Sequence, residues 1–373
     1  LILQCGSRQY NLRQRLADDD HFEGQLVTNW YVSTFSHLLL DIEAHLKDYL
    51  HGRPEVAPLF WEMVDYHFGW QRSVNSSAAP NIGGKRIRPL LLLVVARALC
   101  GRTDHAMPAA LALEIIHNFT LIHDDVMDES VERRHRKTLW VKWGTSQAIN
   151  AGDGLYSLGM SAALSLRDAG VPADKALTSM QLILDACLAT VEGQMLDVGF
   201  EQRTDVTPDE YLTMIGGKTG ALIETSARIG ALLSTDDDAT VDAYAAFGLN
   251  LGLAFQIWDD YLGVWGDAER TGKSATSDIE GRKKSYPVLL AFQSAAPDVK
   301  ADLHRIYAQS ALSTDDVQTV LDALETVDAQ QKTRELIEVY FQRALTALDS
   351  VHVDNDDQRS LRDLALFLVE RAY

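Results

Sequence analysis

The chain has 373 residues, 46% of them hydrophobic and 23% charged, a composition that excludes a disordered or collagen-like protein. Its 53 acidic residues outnumber 34 basic ones, and the net charge of −19 would repel a phosphate backbone, which argues against general nucleic-acid binding. Three cysteines (Cys5, Cys100, Cys187) fit neither an even disulfide framework nor a close metal spacing, so a reducing compartment, the cytoplasm, is expected.

Residues 1–30 are polar and irregular and read as a peripheral or flexible extension. The opening Leu1-Ile2-Leu3-Gln4 is too brief for a secretion-signal core, and apolar runs such as Leu90–Ala96 are too short to span a membrane. From 31 to 373 the chain has no convincing linker, repeat or low-complexity stretch. Alternating strand patterns are scarce, and prolines are few, so one all-α domain is expected. Gly83-Gly84-Lys85-Arg86-Ile87-Arg88-Pro89 places two glycines and three bases before a helix start. Backbone N–H groups, a helix dipole and guanidinium forks there suit a diphosphate. Pro89 then opens a helix that Gly101 ends.

The next helix carries Leu111, Ile115, Ile116, Phe119 and Ile122, spaced at three and four. It runs into His123-Asp124-Asp125-Val126-Met127-Asp128. Asp124 and Asp128 project together from one face, and like charges at that spacing need neutralising. Arg133-Arg134 follows. Further breaks are expected at 169–172, 204–208, 234–238 and 296–297. Between them, Leu182, Leu184, Leu188, Val191 and Met195 mark another helix, on which Glu192 and Gln194-Met195-Leu196-Asp197 form an acidic patch. Gly216-Gly217-Lys218-Thr219-Gly220 comes next. A second acidic pair, Asp259-Asp260, ends the apolar run Ala254-Phe255-Gln256-Ile257-Trp258, and Lys273, Lys283 and Lys284 follow it. Two such clusters facing each other across a cavity suit Mg²⁺, which takes oxygen ligands and is shared between carboxylates and substrate phosphate.

This order of motifs resembles the trans-polyprenyl diphosphate synthase family (farnesyl and geranylgeranyl diphosphate synthases). The likeness runs from about 80 to 290. It rests on the 83–89 loop, His117 ahead of Asp124, the Asp124–Asp128 cluster, Arg133-Arg134, Ala151-Gly152-Asp153, Lys218-Thr219, Phe255–Asp260, Gly272-Lys273, and Lys283 before Pro287. The resemblance implies a helical isoprenoid-synthase bundle around a central apolar cavity, acting as a homodimer with no transmembrane segment. It implies head-to-tail condensation of an allylic diphosphate with isopentenyl diphosphate. Asp124, Asp128 and Asp259, supported by Asp125 and Asp260, would hold Mg²⁺, three ions with diphosphate bound. Arg133, Lys218, Lys283 and Lys273 would contact the allylic diphosphate. Lys85, Arg88, His117 and Arg134 would hold isopentenyl diphosphate, Thr219 and Gln256 would line the reacting centre, and Gln194 and Asp197, on a helix that lines the cavity in the family, are secondary candidates.

The chain departs from the family pattern at three positions. Gly263 stands where the second motif usually has a third Asp, with Asp267 a turn further on as a substitute. His135 replaces the Gly after Arg133-Arg134, and Lys137 replaces a Pro. Phe119 and Thr120, the fifth and fourth residues before Asp124, occupy the places that limit product length in the family. One aromatic at the fifth favours a geranylgeranyl product. Farnesyl and geranylfarnesyl synthases are the nearer alternatives; a class I terpene cyclase, a head-to-head condensing synthase and a non-catalytic regulatory subunit are the more distant ones. The second diphosphate site argues against the cyclase.

Overall fold

The structure is a computed structural model that describes residues 23–53, 56–70, 84–201, 203–266 and 276–369. Among these, the regular elements are helices and one small hairpin. Helices α1 (Glu23–His51), α2 (Pro58–Phe68), α3 (Ile87–Cys100) and α4 (Met107–Met127) precede the hairpin of β1 (Glu132–Arg133) and β2 (Arg136–Lys137). Then come α5 (Leu139–Trp143), α6 (Thr145–Leu164), α7 (Ala173–Glu201) and α8 (Pro208–Ile215). A π turn, Gly216–Gly220, joins α8 to α9 (Ala221–Leu232), followed by α10 (Asp238–Trp265). The chain ends with α11 (Ser277–Glu280), α12 (Tyr286–Ser294), α13 (Pro297–Tyr307), α14 (Thr314–Thr326), α15 (Ala329–Asp349) and α16 (Asp356–Val369).

The core is built around α3. Leu90 through Ala96 are each 0% exposed, because α4, α9, α16 and α1 pack on all sides of this helix. A helix that is apolar all round must be enclosed, and this explains a run that reads as neither amphipathic nor membrane-spanning. Pro89 lies in its first turn, and Gly101 ends it with φ 73°. α4 packs most extensively against α6. A Cβ on Gly159 would lie 2.8 Å from Ile116, and one on Gly152 would lie 2.2 Å from His123 Nε2, so the two glycines let the helices approach closely. A second, smaller core gathers Val264, Val288, Leu303, Ile306, Val320 and Leu324 from α10 and α12–α14. Among the described residues no helix is long and apolar enough to cross a membrane.

One polar network is sealed into the apolar interior. The Arg86 side chain is 0% exposed and sits 2.7 Å from Glu114 Oε1 of α4 and 3.1 Å from Glu43 Oε2 of α1. Asn118 Nδ2 donates to Glu114 Oε1 at 2.9 Å, His67 Nε2 lies 3.1 Å from Asn118 Oδ1, and Trp70 Nε1 donates to Glu43. Arg86 therefore ties α1, α2 and α4 to the loop that enters α3. Removing one member of a buried ion pair leaves an uncompensated charge. Arg86→Ala is expected to destabilise the protein by about 3–5 kcal/mol, read as a lowered denaturant midpoint; an unchanged midpoint would show that the network does not hold the loop.

Candidate active site

The first acidic cluster sits at the C-terminal end of α4, where the α6 contact fixes it. Asp124 is half-buried. Burial raises its carboxyl to a pKa of about 6, opposed by Lys218 and reinforced by the like charge of Asp128. Asp125 is 3% exposed and accepts from Arg133 Nε at 2.7 Å. Asp128 accepts from Gln194 Nε2 at 3.3 Å. His123 turns away from the cluster, with Nε2 3.2 Å from the Ile149 carbonyl and its ring edge-on to Phe119. Phe119 is 9% exposed, between His123 and Tyr156 of α6, and Thr120 Oγ1 donates to the His117 carbonyl at 2.8 Å.

Lys218 reaches this cluster from the π turn, an element that the sequence signals only by its glycines. A Cβ on Gly193 would lie 2.3 Å from the Lys218 backbone nitrogen, and one on Gly217 would lie 2.6 Å from the Ala189 carbonyl oxygen. Bare backbone on both sides thus lets the turn lie against α7. Lys218 Nζ donates to Asp197 of α7 at 2.5 Å. Burial alone would lower the ammonium pKa, but Asp197, Asp124 and Asp128 outweigh it and raise the value. Gln194 and Asp197, secondary candidates in the sequence, are therefore the residues that contact Asp128 and Lys218.

The second cluster ends α10. Asp259 is exposed and Asp260 is 8% exposed. Thr219 Oγ1 donates to Gln256 Oε1 at 2.7 Å, and Gln256 Nε2 donates to Asp260 Oδ1 at 3.1 Å. Tyr211 of α8, 0% exposed and not marked by any motif, donates to Asp260 Oδ2 at 2.7 Å. Burial, and then Asp278, push Asp260 up to about 7, against the pull of Tyr211, Gln256 and Lys283. Gly263 lies inside α10, one turn past the pair. Asp267 and Lys273 lie outside the described residues, as does Gly83.

The cationic side is assembled by two backbone devices. Gly84 has φ 137°, and a Cβ there would lie 2.6 Å from an Arg134 guanidinium nitrogen. Arg134 and His135 have φ 53° and 59°, the two left-handed positions of the tight turn between β1 and β2. The position where the family usually has glycine is thus one that favours it, and His135 occupies it at a cost of about 1 kcal/mol. Lys85, exposed, lies with Nζ 6.0 Å from the centre of the Phe367 ring. Arg88 Nε is buried with no hydrogen-bond partner among the described residues. Burial lowers the Arg88 pKa to about 10 although Glu114 opposes it, so the group stays cationic at neutral pH. His117 is held neutral, first by burial and then by Arg88, Arg134 and Arg133.

Lys283 Nζ lies 3.7 Å from Asp278 Oδ1. Burial alone would lower its ammonium pKa, but Asp278, and then Asp260, Asp197 and Asp128, outweigh it and raise the value. Among the described residues, no group of three or more His, Cys, Asp or Glu side chains could hold a metal ion. Asp124, Asp128 and Asp259 nevertheless fit Mg²⁺: they offer only oxygen, and Gln194 Oε1 beside Asp128 is a buried acceptor without a partner among the described residues. Such an ion takes one or two carboxylates and completes its shell from water and phosphate.

Asp260 gives a pH signature. Its folded pKa lies above the unfolded value, so the native state holds a proton that the unfolded state releases, and stability falls as pH rises from about 4 through about 7. In metal-free buffer, Asp260→Asn is expected to melt above wild type at pH 8, by on the order of 2–4 kcal/mol, with the gap closing toward pH 4. A gap independent of pH would contradict this ionisation.

Residues 72–324 match the model of the Polyprenyl synthetase family. The chain is 35% identical over 316 residues to a (2E,6E)-farnesyl diphosphate synthase of Mycobacterium bovis, covering 83% of this chain and 85% of that one. It is 37% identical over 287 residues to a geranylgeranyl diphosphate synthase of Mycobacterium tuberculosis, covering 77% and 80%. Among solved structures, geranylgeranyl pyrophosphate synthetase from Pyrococcus horikoshii aligns with a TM-score of 0.78 at 32% identity, over 90% of this chain and 99% of that one. Both product names occur among the relatives. With a helical bundle of the same fold, and the acidic and basic motifs in the family's order, this chain belongs to the polyprenyl synthetase family and is a trans-prenyl diphosphate synthase, a prenyltransferase of isoprenoid biosynthesis.

Proposed function

We propose that the protein condenses an allylic diphosphate with isopentenyl diphosphate, head to tail and with Mg²⁺, to give geranylgeranyl diphosphate. The observation that supports the reading is the π turn: its Lys218 donates to Asp197 of α7, the helix from which Gln194 reaches Asp128, and its Thr219 donates to Gln256, which reaches Asp260. When bound, Mg²⁺ supplies positive charge to the departing diphosphate. Lys218, between Asp197 and the Asp124–Asp128 pair, is aimed at the same charge, and Arg133 is released to it from Asp125 as substrate enters. Lys85, Arg88, Arg134 and neutral His117 hold the second diphosphate. Its double bond attacks the allylic cation, and the proton lost goes to the freed diphosphate. Thr219 and Gln256 fix the reacting centre through Asp260. Catalysis here is stabilisation of the charge that develops as the C–O bond breaks, and it requires that water be kept out.

Phe119 sets the length. It is a buried aromatic deeper along α4 than Asp124, and Thr120 beside it adds little bulk. The protein acts as a homodimer in the cytoplasm, where Cys100 and Cys187, which form no disulfide among the described residues, stay reduced. The dimer face is the stripe Leu188, Val191, Met195 and Val198 of α7, between 41% and 71% exposed and spaced for a single helix side. The test is mass analysis of products from purified protein given Mg²⁺, isopentenyl diphosphate and allylic primers of three lengths. A twenty-carbon product is expected, and a longer one from Phe119→Ala, with the protein sedimenting as a dimer. A fifteen-carbon end product would replace the assignment with a farnesyl synthase; an unaltered product from Phe119→Ala would remove Phe119 from length control. Turnover of an allylic substrate alone would indicate a cyclase.

A further inference from the structure

The second acidic cluster has a bare position. Gly263 follows Asp259 and Asp260 by one helical turn, on the face they share. The space above it is filled: a Cβ built on Gly263 would lie 2.2 Å from Asp278 Oδ2 and 2.8 Å from Asp278 Oδ1. No side chain fits at 263 while Asp278 stands there, and the group that stands there is itself a carboxylate. Asp278 belongs to the short α11, 15 positions along the chain from Gly263, and is only 9% exposed. An acid on a four-residue surface helix would ordinarily face water. Burying one beside Asp260 costs free energy unless cations share the space. Lys283 Nζ lies 3.7 Å from Asp278 Oδ1, and the Lys283 N–H closes the turn onto the Asp278 carbonyl at 2.9 Å. Asp260, Tyr211 and Lys283 all sense its charge.

We propose that Asp278 supplies the third carboxylate of the second acidic cluster from a different helix, that Gly263 is bare in order to admit it, and that it positions Lys283 and Asp260 for a magnesium-bound diphosphate. The inference rests on the reaction given under Proposed function. It makes Asp278 a positioning residue, acting through Lys283 and Asp260.

The test uses three proteins: wild type, Asp278→Asn, and the relocation variant Gly263→Asp with Asp278→Gly. Calorimetry reads binding of inorganic diphosphate in the presence of Mg²⁺, and kinetics read KM separately for the allylic and isopentenyl substrates. Asp278→Asn keeps the volume and is expected to weaken Mg²⁺-dependent diphosphate binding by about 10- to 100-fold, as loss of an outer carboxylate does at metal sites. The allylic KM should rise with it while the isopentenyl KM stays within about twofold, a split that a general loss of folding would not produce. The relocation variant should recover part of the affinity. If wild type binds diphosphate only with Mg²⁺ and Asp278→Asn matches it, the inference is overturned and the reaction stands. If wild type itself shows no Mg²⁺-dependent binding, the reaction and the inference both fall. Asp278→Asn that weakens both substrates equally would also overturn it, by making the role structural.

Discussion

The site depends on crowding negative charge where protein normally avoids it. Asp124 and Asp260 sit at the ends of apolar helices, and burial lifts both toward neutrality. Carboxylates so placed are destabilising on their own. They become useful when cations complete the arrangement, and the protein supplies some of these itself: Arg133 on Asp125, Lys218 on Asp197, Lys283 near Asp278. In the function proposed above, Mg²⁺ and the substrate diphosphate complete the arrangement.

Close backbone approach makes the crowding possible. Gly193 and Gly217 bring the Lys218 turn against α7, Gly152 admits His123 and holds α4 to α6, and Gly84 admits Arg134. In each case a missing Cβ sets the position of a charged or polar side chain some residues away. The buried Glu43–Arg86–Glu114 network does the same for the cationic side: it fixes the loop that carries Lys85 and leads into the first turn of α3, where Arg88 lies. A buried ion pair contributes little net stability compared with an apolar core, so its value here is in specifying where that loop sits.

The sequence revealed much of this through short-range signals. The breaks at 169–172, 204–208, 234–238 and 296–297 coincide with helix ends, because proline, glycine and capping residues act locally. The Asp clusters and their basic neighbours were legible for the same reason. What stayed hidden involves partners distant in the chain. Arg86 reads as one more base in a cationic loop until Glu43 and Glu114 fold around it. Tyr211 has no motif. Asp278 cannot be linked to Gly263 without coordinates. Periodicity also left the side open: Leu188, Val191 and Met195 repeat as a core stripe would, yet they face outward, while α7 buries Ser179, Ile183, Ala186, Thr190 and Gly193. A helical period reports that a face is apolar, not what covers it.

The most direct measurement of the central claim is a crystal structure grown with Mn²⁺ and a nonhydrolysable allylic diphosphate analogue, with the metals located by anomalous scattering. The account predicts metal peaks bridging the diphosphate to Asp124 and Asp128 on one side and to Asp259 on the other. Metal bound to only one helix end, or a diphosphate seated away from both, would contradict it.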